Sequence, residues 1–117
     1  MPIRLCAAVA ALLAAAAIAG CAGTSSSAPK NVNIRVNVVN GKPQGGVKTY
    51  KVKKGGHVHF VVTSDVADEV HVHGYNFHKD VPKGGTVTFD FPAKIDGGFI
   101  AELEDAHQTL INLQVEP

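Results

Sequence analysis

The side chains of this chain best suited to chemistry are its six histidines. His71 and His73 fall in the run Asp68-Glu69-Val70-His71-Val72-His73-Gly74-Tyr75, with His78 close behind and His107 nearer the end of the chain. Side chains two apart on a strand point to the same side, with Cβ atoms about 7 Å apart. Two imidazoles placed in this way can converge on one ion, and imidazole suits copper(II), zinc and nickel. Glu102, Glu104 and His78 are available as further donors. The same H-x-H spacing is also what a plain polar strand face shows. No Ser-His-Asp order, phosphate-binding loop or framed carboxylate pair accompanies these residues, so an enzyme is not expected.

The elements that must position them read as strands. Val32, Ile34, Val36 and Val38 alternate with Asn33, Arg35 and Asn37, a period of two with one face buried and one wet. Further strands are expected at about 47–53, 57–63, 69–74, 86–91, 99–104 and 109–115, separated by turn-rich segments such as Gly41-Lys42-Pro43-Gln44-Gly45-Gly46. No stretch after residue 31 shows a helical period. Short strands at this spacing predict an all-β sandwich or barrel.

The chain repeats itself once. Val52-Lys53-Lys54-Gly55-Gly56-His57-Val58-His59-Phe60 and Val81-Pro82-Lys83-Gly84-Gly85-Thr86-Val87-Thr88-Phe89 share the pattern V-x-K-G-G-x-V-x-F. Each glycine pair predicts a tight turn feeding a strand. His57 and His59 occupy the positions of Thr86 and Thr88, which suits an outward, polar face.

Residues 1–20 read as an export signal. Arg4 precedes an apolar run over 5–19, which at 15 residues is short of the 20 or so that span a bilayer. Of the two cysteines, Cys6 lies in this signal and Cys21 follows Ile18-Ala19-Gly20. The remaining 97 of the 117 residues make one small domain, too short for a Rossmann fold or a TIM barrel. Residues 21–30 are small and polar after the cysteine, a flexible tether of limited reach, and 31–117 form the folded domain. Without Arg4 the charges balance at ten basic and ten acidic residues, which argues against a nucleic-acid partner. Lys42, Lys48, Lys51, Lys53 and Lys54 read as a solvated face.

Two resemblances sharpen these expectations. Ile18-Ala19-Gly20-Cys21 resembles the lipobox of bacterial lipoproteins. It implies cleavage before Cys21, lipid on its sulfur, and a membrane partner reached through that anchor. Ala22 after the cysteine points to the outer membrane in a two-membrane bacterium, or otherwise to the outer face of the cell membrane. From about Asn31 to Pro117 the chain also resembles the cupredoxin-like domain, in its small lipid-anchored bacterial form. The resemblance rests on the V-x-K-G-G-x-V-x-F-x-V-x-S-D run, Asp-Glu-Val-His-Val-His-Gly-Tyr, the Val-Pro-Lys-Gly-Gly turn, and the closing G-G-F-x-x-E-L-E-x-x-H-x-x-L-x-x-L-x-V-x-P. It implies a Greek-key β-sandwich of seven to eight strands.

In copper-carrying members a first histidine follows a D-x-x-H pattern, which here falls on His71, and a loop before the last strand carries cysteine, histidine and methionine. In this chain the cysteine position falls near Leu103, the second histidine at Ala106 or His107, and the methionine near Leu110. The only methionine is Met1. A blue-copper centre needs a thiolate, so an electron carrier of that kind is not expected. The resemblance instead brings His71, His73 and His107 to one end of the sandwich as a histidine site for copper or zinc. The alternative is a metal-free cupredoxin-like interaction module at the cell surface.

Overall fold

The computed structural model describes residue 20 and residues 27–117. Residues 1–19 of the expected export signal, the lipidation position Cys21 and most of the expected tether lie outside the described residues.

Among the described residues nine strands succeed one another: β1 (Asn31–Val39), β2 (Lys42–Pro43), β3 (Lys48–Lys53), β4 (His57–Ser64), β5 (Asp68–Val72), β6 (Phe77–Val81), β7 (Thr86–Pro92), β8 (Gly97–Leu103) and β9 (Gln108–Glu116). They form two sheets, ordered β2-β1-β4-β7 and β3-β9-β8-β5-β6. The β1–β4 and β3–β9 pairs are parallel and the others antiparallel. Of the all-β sandwich or barrel that the strand spacing predicts, the sandwich forms, with one strand more than the seven to eight that the resemblance implies.

The period-two pattern decides which faces meet. Ile34, Val36 and Val38 of β1, Val58, Phe60 and Val62 of β4, and Phe89 and Phe91 of β7 turn inward from one sheet. Val70, Val72, Ala101, Leu103, Leu110, Ile111, Leu113 and Val115 meet them from the other. The rings of Phe60 and Phe89 stack at 5.7 Å between centroids. Truncating a buried phenylalanine of this kind to alanine costs about 3–5 kcal/mol.

Two strands go beyond the sequence reading. β2 is two residues that pair back on the end of β1. β6 shows no apolar alternation: Phe77, His78, Lys79 and Asp80 are exposed and Val81 alone is buried. Its ladder to β5 holds it in place, and burial contributes little. The expected strand over 69–74 ends at Val72, because Gly74 and Asn76 take positive φ values of 81° and 58° and turn the chain into β6.

Each copy of the glycine repeat makes a corner for two separate reasons. Gly55 and Gly84 have φ of 84° and 74°, a region that a Cβ disfavours. Their neighbours lack room: a Cβ on Gly56 would lie 1.6 Å from the Lys30 carbonyl oxygen, and one on Gly85 2.3 Å from Pro82 Cγ. The last residues of the expected tether are fixed at the first corner, where Lys53 N donates to Pro29 O at 2.8 Å and His57 N to Lys30 O at 3.0 Å.

β6 and β7 are edge strands of opposite sheets. The Lys79 ammonium bridges them by donating to the Thr88 carbonyl, and it lies 5.1 Å from the centre of the Phe89 ring.

Candidate metal centre

The central strand of the candidate site is β5. Val70 and Val72 point into the core, so Glu69, His71 and the following His73 share the outer face. On one side His71 is the ladder partner of His78 on β6; on the other it is the partner of Glu102 on β8. Glu104 follows two residues after Glu102, and its N–H donates to Glu69 O at 2.9 Å. Three histidines and three glutamates therefore gather on one patch of the outer sheet face.

Their side chains are paired. His71 Nδ1 hydrogen-bonds Glu104 Oε1, and His73 Nε2 hydrogen-bonds Glu102 Oε1. His78 Nδ1 lies 2.7 Å from Glu69 Oε1, and its Nε2 lies 3.1 Å from Asn76 Oδ1. The His71 ring stacks on His78 at 3.8 Å between centroids and meets the His73 ring at 3.9 Å, tilted by 31°. One ligand atom from each of His71, His73, Glu102 and Glu104 lies within 4.8 Å of all the others, and the same holds for Glu69, His78 and Glu104. The side chains of His71 and Glu102 are the most enclosed, at 14% and 17% exposure.

Local structure holds this arrangement at both ends. After His73, the Tyr75 hydroxyl donates to Ile95 O at 2.9 Å and accepts from Ile95 N at 3.1 Å. Gly74 passes so close to Phe99 that a Cβ there would lie 2.2 Å from its ring. At the other end, the buried Asp68 carboxylate accepts from Glu69 N at 2.7 Å, Asp105 N at 2.9 Å and Ala106 N at 3.2 Å. It thereby ties the β8–β9 turn to the start of β5. A bulge sits at the same place: Ala101 pairs with Ile111 but Glu102 with Thr109, so Leu110 is passed over in the ladder. Bulges are frequent beside functional sites, where they re-aim a strand.

The structure brings His71 and His73 together, as their spacing requires, and adds Glu102 and Glu104 as donors of equal standing. It does not bring His107 to them. His107 is exposed on the β8–β9 turn with φ of 50°, its N–H donates to Glu104 O at 3.3 Å, and it belongs to neither donor group among the described residues. The positions that the cupredoxin-like resemblance matched to cysteine and methionine, Leu103 and Leu110, are fully buried in the core, and Ala106 is exposed on the turn. Hydrocarbon fills that place, and the donors lie one layer out, on the far side of the sheet.

His57 and His59 face outward from β4, as the repeat predicts. Both contact Asp90 of β7, His59 Nδ1 at 3.4 Å. The hydrogen bond with His57 is the main cause holding the Asp90 carboxyl below its ordinary value. The five lysines of the solvated face are all exposed.

Sequence reasoning missed Glu69 and the equal rank of the glutamates. The signal was present in E-x-H-x-H over 69–73 and E-x-E over 102–104, both with the strand period.

No family model matches the sequence, and no curated protein is similar to it in sequence. Solved structures are similar in fold. An apo copper binding protein in solution is 19% identical, with 77% of this chain and 92% of that one covered and a TM-score of 0.56. The metal binding domain of the Cu(I)-exporting P-type ATPase of Streptococcus pneumoniae D39 is 10% identical, with 79% and 92% covered and a TM-score of 0.61. The copper nitrite reductase of Nitrosomonas europaea is 16% identical, with 74% of this chain but 42% of that one covered and a TM-score of 0.58. At such identities the likeness is one of architecture: this domain has the cupredoxin-like fold.

Proposed function

We propose that this domain binds copper on the outer face of its five-stranded sheet, and that lipid on Cys21 holds it at a membrane surface outside the cytoplasm. The observation that carries the copper reading is the convergence of His71, His73, Glu102 and Glu104 within 4.8 Å. Two imidazole nitrogens and two carboxylate oxygens form a donor set that suits copper(II), and copper outranks zinc at a given nitrogen and oxygen site. Copper-binding proteins among the fold's solved structures support the same metal. The glutamates supply negative charge, and the imidazoles bind as neutral rings. Without a thiolate the site holds copper and does not work as a blue-copper electron carrier. The lipid anchor rests on the lipobox-like run ending at Cys21.

One observation favours a second reading, a metal-free interaction surface: each imidazole of the patch already has a carboxylate partner. Calorimetric titration with copper(II) decides between them. The protein is the full-length chain in detergent micelles, with Cys6 and Cys21 replaced by serine so that no thiol competes. Tight binding, with Kd on the order of micromolar or below, is expected for this chain. His71→Ala should weaken it about tenfold or more, and zinc should bind less tightly than copper. Binding no better than millimolar would remove the copper reading and leave the interaction surface.

A further inference from the structure

We infer that the patch holds two copper ions, with Glu104 as the bridging ligand between them. This rests on the copper reading above and extends it from one ion to a pair.

Two donor groups lie side by side on the sheet. His71, His73, Glu102 and Glu104 form one; Glu69, His78 and Glu104 form the other. Glu104 belongs to both. A carboxylate has two oxygens and about four lone-pair directions, so one glutamate can serve two ions. Its place just after the end of β8, bonded through its N–H to Glu69 O and through its side chain to His71, puts it in contact with a residue of each group.

The spacing agrees. Ions in two-metal sites stand about 3.5–4 Å apart. His71 and His78 belong to different groups, and their rings stack almost parallel, at 18° and with centroids 3.8 Å apart. Parallel imidazoles at that distance can each serve a different ion of such a pair. Charge agrees as well. Two copper(II) ions crowded together repel, and a site must offset that repulsion. Glu69, Glu102 and Glu104 bring three negative charges to the patch, where one ion would need fewer.

The second group also explains β6. A strand with four exposed residues in five gains little from burial, yet its register sets His78 opposite His71. Asn76, in the turn before β6, contacts His78 Nε2 and leaves its Nδ1 toward Glu69.

The experiment combines calorimetry and electron paramagnetic resonance on the full-length Cys6→Ser/Cys21→Ser chain in micelles, titrated with copper(II) sulfate. Two ions per chain are expected. A half-field transition, the signature of two coupled copper(II) ions, should appear as the second equivalent is added. His78→Ala and Glu69→Gln should each take up one ion and lose that transition; both side chains are partly exposed, at 42% and 38%, and neither belongs to the core, so the fold should survive either change. The His57→Ala/His59→Ala double variant should keep two ions and the transition, which excludes the Asp90 histidines as the second site. Saturation at one ion, two ions with independent signals, or loss of the second ion in the His57/His59 variant would each overturn the pair and leave the single-ion reading standing. Failure to bind any copper better than millimolar would remove both.

Discussion

His71 and His78 face each other directly across the β5–β6 ladder, with ring centroids 3.8 Å apart. Register alone brings them together. A slip of one residue would move every side chain of β6 to the opposite face, sending His78 away from His71. The four-residue turn between the strands fixes that register, with Gly74 and Asn76 in positive φ and Tyr75 bonded at both its hydroxyl contacts to Ile95. The chemistry of the patch therefore depends on a turn that carries just one of its donors.

The glutamates and His107 should separate cleanly. Glu104→Gln keeps the shape of the side chain and removes its charge. It should weaken copper(II) binding by tenfold or more, equivalent to about 1.4 kcal/mol. His107→Ala should stay within a few-fold of wild type, because that imidazole stands on the exposed turn outside both donor groups. Calorimetric titration of the three full-length chains compares them directly.

Asp68 positions the site without belonging to it. Its carboxylate accepts from three backbone N–H groups. Asp68→Ala leaves those donors unpaired in a mostly buried place, which should cost about 1–3 kcal/mol or more of stability. Urea unfolding should show a lower midpoint with an unchanged slope. Copper affinity should fall with it, because Glu104 lies at the base of the turn that Asp68 secures.

Colour tests the ligand set. Copper(II) added to the full-length chain without its two cysteines should give weak ligand-field absorption in the visible range. An intense blue or green band would require sulfur-to-copper charge transfer and would contradict a site made of imidazole and carboxylate.

Asp90 gives a pH dependence of known sign. Its carboxyl is held below the ordinary 3.8, chiefly by the hydrogen bond with His57. A lowered carboxyl contributes its stability above its ordinary pKa and loses it as pH falls through the lowered value. Because Asp90 is exposed, solvent screens the effect and the change in stability should be slight. The titration itself is the sensitive readout: in His57→Ala the Asp90 carboxyl carbon should titrate at a higher pH, nearer 3.8, by nuclear magnetic resonance.

The anchor has a covalent test. Lipidation of the expected kind requires the Cys21 thiol, so Cys21→Ser should yield uncleaved or lipid-free protein. Mass spectrometry of the amino terminus decides it. An unmodified Cys21 thiol in wild-type protein purified from native membrane would refute the anchor.

How much of this was readable beforehand follows from what each residue obeys. The strands that bury a face announce themselves: Ile34, Val36 and Val38, or Val58, Phe60 and Val62, alternate because water is on one side and the core on the other. β6 has no such face, so its sequence carries no period and His78 could not be placed. His71 and His73 share a side by spacing alone, which holds for any strand. The partnership of His71 with Glu102 depends on how two strands some thirty residues apart pair, and no local pattern encodes that register. His107 was assigned by resemblance to a loop built around a cysteine. Here Leu103 and Leu110 pack that region with hydrocarbon, and the loop is a short turn pinned by Asp68.

The Lys79 bridge bears on how this domain behaves in a crowd of its own copies. β6 and β7 each end a sheet, and an unguarded sheet edge offers its carbonyls to any strand that arrives. Here the Thr88 carbonyl is already taken by an ammonium group, whose charge stands over Phe89 at the mouth between the two edges. A second molecule approaching edge-on would have to displace that cation before its own backbone could pair. On a membrane, where anchored copies would be concentrated in two dimensions, such a guard favours separate domains over a growing ribbon of strands.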